Sequence, residues 1–206
     1  MKSIKKKDLE MELEEIPPHP DPKPDLEQYS TPAEIAADIL FQATISGDVY
    51  GRRVADFGCG TGIFSLGAAY IGAEKVFAFD VDQGALDTAE DIADRWGLRE
   101  KIEFSCMDIS QFEEDVDTVI MNPPFGSQKK GADLPFLDKA FEHSQKVYSL
   151  HNVDTIDFLR KYVQDKAFRI GWEKRYMFEM DNIFKFHTKS KKEIEIILLV
   201  MEKIEG

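Results

Sequence analysis

From Arg53 onward the chain alternates short apolar strands with helix-patterned segments, and this alternation limits the fold more than any other feature of the sequence. Val54–Phe57 is an apolar run ending in the glycine turn Gly58-Cys59-Gly60-Thr61-Gly62, and Ile63–Ile71 has the pattern of a following helix, closed by Gly72. Lys75–Val81 reads as a second strand, Gln83–Trp96 as an amphipathic helix stopped at Gly97, Ile102–Met107 as a third strand and Thr118–Met121 as a fourth. Leu134–Ser144 is expected to be helical, Lys146–Leu150 a fifth strand and Thr155–Gln164 another helix. Two long strand-like segments, around Phe168–Phe178 and Glu193–Glu202, close the chain with no helix between them. Short strands separated by helices build a mostly parallel sheet covered on both faces. A hairpin at the end requires one of the last two strands to run antiparallel. The expectation is an α/β, Rossmann-like fold: a seven-stranded, mostly parallel sheet with helices on both faces and a C-terminal antiparallel strand.

A chain of 206 residues suffices for one such domain with little left over. Ahead of it, residues 1–27 form an N-terminal helix, through Lys5–Glu15, and a connector with proline at the alternate positions Pro18, Pro20, Pro22 and Pro24. That run excludes helix and interior strand and reads as an extended, polyproline-like segment. The main domain is expected over 28–206. Thr31 suits an N-cap, Pro32 the first helical position, and Ile35, Ile39 and Leu40 recur at helical spacing to about Ile45.

Composition excludes several classes. No apolar run is long enough to cross a bilayer; Ile194–Met201 is interrupted by Glu195 and reads as a buried strand. The basic start Met1–Lys7 turns acidic with no apolar leader, and Cys59 and Cys106 make neither a disulfide framework nor a zinc site. A cytoplasmic protein with no metal is expected. The net charge of −13 argues against a protein that binds nucleic acid over its whole surface. The charge is uneven, however: Lys185–Lys192 carries four lysines and His187 with no acid, and Lys129 and Lys130 form a second small cluster. These read either as basic strips for a polyanion or as two solvated loops.

The glycine turn has the spacing G-x-G-x-G, one residue short of the dinucleotide fingerprint, and Asp56 precedes its first glycine. A carboxylate there repels a diphosphate and suits a ligand carrying an ammonium group, such as the methionine part of S-adenosylmethionine. Asp80 ends the second strand, where a carboxylate accepts ribose hydroxyl protons, and Asp108 ends the third, near the place of an adenine amine. With Cys59, Gly60, Thr61, Ile63, Val81 and Ile109, these residues outline a cofactor crevice at successive strand ends. The fourth strand ends Asn122-Pro123-Pro124-Phe125. Two prolines fix the backbone so that the Asn122 side chain and the Pro123 carbonyl can accept both protons of a planar amine, while Phe125 offers a face to its ring. In-line alignment of such an amine with a methyl donor carries most of the catalysis. The chemistry fits adenine N6, guanine N2 or a glutamine amide equally well.

The tetrapeptide is similar to that of class I amino-methyltransferases. Further segments, Leu26–Thr31, Asp117–Gly126, Val147–His151 (VYSLH) and Lys185-Phe186-His187, resemble the methyltransferase-like protein 5 family from about residue 26 to the end of the chain. The resemblance implies N6-methylation of adenine in small-subunit ribosomal RNA, a small zinc-binding activator subunit as partner, and Gln28 and Thr31 in the S-adenosylmethionine pocket. It also gives the basic strip of Lys185, Lys189, Lys191 and Lys192 a role in RNA binding, with Phe186 and His187 helping to hold a base drawn out of its stack. A protein glutamine-N5 methyltransferase and a non-catalytic S-adenosylmethionine-binding subunit are the alternatives.

Overall fold

The computed structural model describes residues 4–23, 27–126, 131–180 and 192–204. Helices α1 (Lys6–Leu13) and α2 (Ala33–Ile45) precede the alternating region, which runs β1 (Arg53–Phe57), α3 (Ile63–Ile71), β2 (Lys75–Asp80), α4 (Gln83–Arg95), β3 (Ile102–Cys106) and β4 (Thr118–Met121). It continues with α5 (Leu134–His143), β5 (Lys146–Asn152), α6 (Ile156–Gln164), β6 (Phe168–Met180) and β7 (Lys192–Lys203). The seven strands lie in the order β3-β2-β1-β4-β5-β7-β6. β1 to β5 are parallel, and β7 inserts antiparallel between β5 and β6. The chain moves outward from β1 through β2 to β3, then returns to the other side of β1 for β4. This reversal opens a crevice at the C-terminal ends of β1 and β4, where open α/β sheets take their ligands.

Strand β7 shows why the sheet is covered on both faces. Ile196, Leu198 and Val200 join a core with α1 to α4, while Ile197, Leu199 and Met201 join a second core with α5 and α6. Alternate side chains on a strand point to opposite faces, so a continuous apolar run serves two cores. In the second core Phe79 stacks on Phe112 at 5.0 Å between ring centres, and Phe57 meets Phe112 edge-on at 4.9 Å. These rings fill the space under the ends of β1 and β2 and hold the ligand crevice rigid from below.

Helix α1 is built into this body. Leu9 and Leu13 of α1 are fully buried in the same core as Ile39 and Leu40 of α2. Thr31 differs from the cap expected of it. The residue flanking α2 is Pro32, whose carbonyl receives the Ala36 N–H at 3.0 Å, and the Thr31 hydroxyl is turned elsewhere.

Candidate active site

A cavity of about 580 Å³ opens in the crevice, lined by the glycine turn, the ends of β2, β3 and β4, residues 27–31 and part of α5. The turn takes its shape from backbone conformations that a side chain would strain: φ is +68° at Gly58, +54° at Gly60 and +87° at Gly62. The N–H groups of Gly58 and Cys59 both donate to the Phe79 carbonyl at 3.0 Å, tying the turn to β2. A Cβ on Gly58 would stand 3.4 Å from Phe136 of α5, an ordinary contact, so what demands glycine here is the backbone, and Phe136 closes the neighbouring wall of the cavity. Cys59, Gly60, Thr61 and Ile63 complete this wall. The Cys59 thiol is buried, which pushes its pKa well above the usual range, so it is an apolar surface and not a nucleophile.

Asp80 sits at the end of β2 with one carboxylate oxygen receiving Gly60 N–H at 2.9 Å and the other receiving Asp82 N–H at 3.0 Å. These bonds fix its orientation into the cavity and leave lone pairs for further donors. Val81 beside it is half exposed on the cavity wall. Asp108 and Ile109 form the facing wall. Asp108 caps the 3-10 turn Ile109–Gln111 through Ser110 N–H at 2.9 Å, and the Ser110 hydroxyl also donates to it at 2.6 Å, so its carboxyl lies below the ordinary aspartate range.

Asp56 does not stand on the cavity wall. It is 1% exposed, and its Oδ2 receives the Ser65 N–H at 2.8 Å and the Ser65 hydroxyl at 2.5 Å. The acid points down into the first turn of α3, where N–H groups lack intrahelical partners. This corrects the expectation that its carboxylate faces the ligand: Asp56 shapes the turn from beneath. Gln28 lines the cavity, but both ends of its amide are engaged. Its Oε1 receives Lys23 N–H at 2.7 Å and its Nε2 donates to Asp82 at 3.2 Å.

The end of β4 brings the reaction motif to the same cavity. Asn122, Pro123 and Pro124 line it, while Phe125 packs half-buried against the α1–α4 core. Asn122 Nδ2 donates to Thr31 Oγ1 at 3.1 Å, and Asn122 Oδ1 is buried with no hydrogen-bond partner among the described residues. A buried acceptor without a donor costs about 1–3 kcal/mol, which a ligand N–H would recover. Lys129, Lys130, Lys185, Phe186, His187, Lys189 and Lys191 lie outside the described residues, as does the side chain of Lys192.

Several wall residues carried no signal in the sequence. Phe136 comes from the first turn of α5, and Pro17, Pro18 and His19 come from the proline connector. Neither group belongs to a motif, and only the packing of α1 and α5 brings them here. Elsewhere, Ser149, His151 and Asp133 form a chain of contacts, with 2.7 Å between Ser149 Oγ and His151 Nε2 and 3.1 Å between His151 Nδ1 and Asp133 Oδ2. All three are buried, so the arrangement is a structural tie between β5 and α5 and not a nucleophilic centre.

The cavity holds positive-φ glycines, ribose-type acceptors, an exposed apolar wall and an orphaned acceptor at the end of β4. With this sheet order, these features define a class I S-adenosylmethionine-dependent methyltransferase, and S-adenosyl-L-methionine is its methyl donor. Residues 40–123 match the family model for the ribosomal protein L11 methyltransferase. Over nearly the whole chain the sequence is 34% identical to the rRNA N(6)-adenosine-methyltransferase METTL5 of Danio rerio, covering 94% of this chain and 96% of that one. It is also 34% identical to the Drosophila melanogaster protein of that name, with 95% of each covered. A crystal structure described as that of a candidate RNA methyltransferase of Pyrococcus horikoshii superposes with a TM-score of 0.91 at 37% identity, covering 98% of this chain and 99% of that one. The chain belongs to the METTL5 family.

Proposed function

We propose that this chain transfers a methyl group from S-adenosylmethionine to N6 of an adenine in small-subunit ribosomal RNA. The observation that carries the reading is the buried, unpartnered Asn122 Oδ1 beside the donor cavity. The names of the METTL5 relatives support the substrate. The match to the L11 methyltransferase model ends at Pro123. It therefore covers the donor-binding half and does not argue for a protein acceptor.

Bound S-adenosylmethionine supplies an electrophilic methyl carbon. Gly58, Gly60, Thr61 and Ile63 hold its methionine end, Asp80 accepts its ribose hydroxyls, Val81 and Ile109 flank its adenine, and Asp108 accepts the adenine amine. Gln28 keeps the wall beside Asp80 in place. Asn122 Oδ1 and the Pro123 carbonyl accept the two N6 protons of the target base. Their pull turns the nitrogen lone pair out of conjugation and toward the methyl carbon. Pro124 stiffens the loop, and Phe125, packed against the α1–α4 core and not on the cavity wall as the sequence suggested, anchors it. The N6 lone pair forms the C–N bond as the methyl carbon's bond to sulfur breaks, the electron pair leaving with neutral S-adenosylhomocysteine, and the cationic nitrogen then loses one of its two protons to water. Lys129, Lys130, Lys185, Lys189, Lys191 and Lys192 attract the RNA backbone, and Phe186 and His187 hold the extruded base.

The enzyme works in the cytoplasm with a small zinc-binding activator subunit. Two features support a partner: a net charge of −13 disfavours RNA binding by the chain alone, and the sheet ends in edge strands, β3 and β6, that another chain can extend. Among the described residues no helix is long and apolar enough to cross a membrane.

The test uses labelled S-adenosylmethionine, unmodified small-subunit ribosomal RNA and the protein with and without the activator, followed by digestion to nucleosides and mass spectrometry. N6-methyladenosine is expected, and Asn122→Ala abolishes it while donor binding survives. Label entering protein instead of RNA refutes the reading. Neutralising Lys189, Lys191 and Lys192 is expected to lower RNA affinity and flatten its salt dependence.

A further inference from the structure

The proline connector is anchored at both ends over the donor cavity. Upstream, Leu13 is buried in the core; downstream, Lys23 Nζ lies 2.7 Å from Asp82 Oδ2, which also receives Gln28 Nε2. The Lys23 ammonium, more than the other contacts, holds the Asp82 carboxyl down at about 2. Between the anchors, Pro17 and Pro18 restrict the backbone and His19 lines the cavity with its side chain 5% exposed.

The His19 ring has a defined orientation. Its Nδ1 receives the Asp21 N–H at 3.1 Å, so in the neutral ring the proton sits on Nε2. That Nε2 is buried and has no hydrogen-bond partner among the described residues; Asp82 Oδ2, at 3.5 Å, is already taken by Lys23 and Gln28. Asp82 in turn gives its backbone N–H to Asp80, which places His19 on the same side of the cavity as the ribose-accepting acid. A ribose hydroxyl that donates to Asp80 still has oxygen lone pairs to satisfy. The side chains of Asp80 and Asp82 supply only acceptors, and the Gly60 N–H is spent on Asp80.

We propose that His19 is a cofactor-binding residue whose Nε2–H donates to a ribose hydroxyl oxygen of S-adenosylmethionine, and that the strap of residues 17–23, latched on Asp82, exists to place it. The proposal rests on the donor assignment of the cavity and is independent of the RNA substrate.

The experiment is calorimetric titration of the full-length protein with S-adenosylhomocysteine and with its 2′-deoxy and 3′-deoxy forms. His19→Phe keeps a ring of similar size and removes the donor; His19→Gln keeps an N–H. His19→Phe is expected to bind S-adenosylhomocysteine about tenfold more weakly than wild type, as the loss of one buried hydrogen bond implies. His19→Gln should recover most of that loss. One deoxy form should lose about tenfold less against His19→Phe than against wild type. Unchanged affinity in His19→Phe overturns the proposal, as does a loss of equal size for all three ligands, and neither result touches the RNA reading. Thermal unfolding without ligand shows that the variants are folded, and a comparison of the three ligands on wild type and His19→Gln reads the same contact without the Phe variant.

Discussion

The Asn122 amide at the end of β4 is held by Thr31, 91 positions earlier, through a 3.1 Å bond from Nδ2 to Oγ1. The bond commits the nitrogen end and leaves the oxygen end, which has no hydrogen-bond partner among the described residues, to serve the amine in the proposed reaction. Thr31→Val keeps the shape and removes the anchor. The turnover rate should fall about 10–100-fold, because misplacing a reacting group by about 1 Å costs on that scale, while donor affinity changes less than about threefold. Single-turnover rates beside S-adenosylhomocysteine titrations separate the two effects. A loss confined to donor affinity would mean that Thr31 serves the cofactor alone.

Gly58→Ala should weaken donor binding more than its stability cost suggests. The residue has φ +68°, where a Cβ costs about 1–2 kcal/mol, and the added carbon meets Phe136 at 3.4 Å. That contact is an ordinary one, so the strain falls on the glycine turn itself. A drop of at least tenfold in S-adenosylhomocysteine affinity is expected, and Phe136→Ala in the same background should not restore it, because the strain lies in the backbone and not in the contact. Restoration by Phe136→Ala would show that crowding against α5, and not backbone strain, is responsible.

Strand and helix positions were legible in the sequence because each element carries its own period. β7 is an apolar run feeding two cores, and α4 has one apolar stripe. The C-terminal ends of α3 and α4 are marked by Gly72 and Gly97, with φ of +111° and +68°. Gly58, Asp80 and Asn122 were legible as well, since the fold forces residues at strand ends into one crevice. What could not be read was which way a side chain turns. Asp56 belongs to the same strand end as Gly58, yet it serves Ser65. Thr31 looked like a cap, and its hydroxyl was taken by Asn122, the residue just after β4. His19 and Phe136 depend on how α1 and α5 dock, and local sequence does not specify that.

Asp38 of α2 joins three parts of the chain. Its oxygens receive Lys6 Nζ at 2.6 Å, Lys174 Nζ at 2.6 Å and the Tyr176 hydroxyl at 2.7 Å, so α1 and β6 meet on one carboxylate. Burial alone would raise its pKa, but the bonds from Lys174, Lys6 and Tyr176 prevail and hold it at about 2. The stability this group contributes is present above pH 4 and is lost as pH falls toward 2. Asp38→Ala should destabilise the protein by about 1–2 kcal/mol, since it removes three hydrogen bonds to a buried carboxylate while the half-exposed Lys6 and Lys174 ammonium groups turn to water. It should also loosen α1 and increase proteolytic cleavage near residues 14–20. Chemical denaturation and limited proteolysis check both effects, and an unchanged cleavage pattern would separate Asp38 from the anchoring of α1.

Asp56 gives the opposite dependence on pH. Burial pushes its carboxyl up to about 7, with the Ser65 bonds opposing and the nearby Asp80 charge adding to the rise. The folded protein therefore binds this proton more tightly than the unfolded chain. The stabilisation is complete below pH 4 and disappears as pH rises through 7, because the folded state must then hold a buried charge. Asp56→Asn keeps an acceptor for the Ser65 N–H and cannot ionise. Relative to this variant, wild type should lose stability on the order of 2 kcal/mol between pH 5 and pH 8. Urea denaturation of both proteins at the two pH values measures the difference directly, with effects of the other titrating groups cancelling between them. A pH-independent difference would mean that Asp56 is ionised throughout and that the Ser65 bonds outweigh its burial.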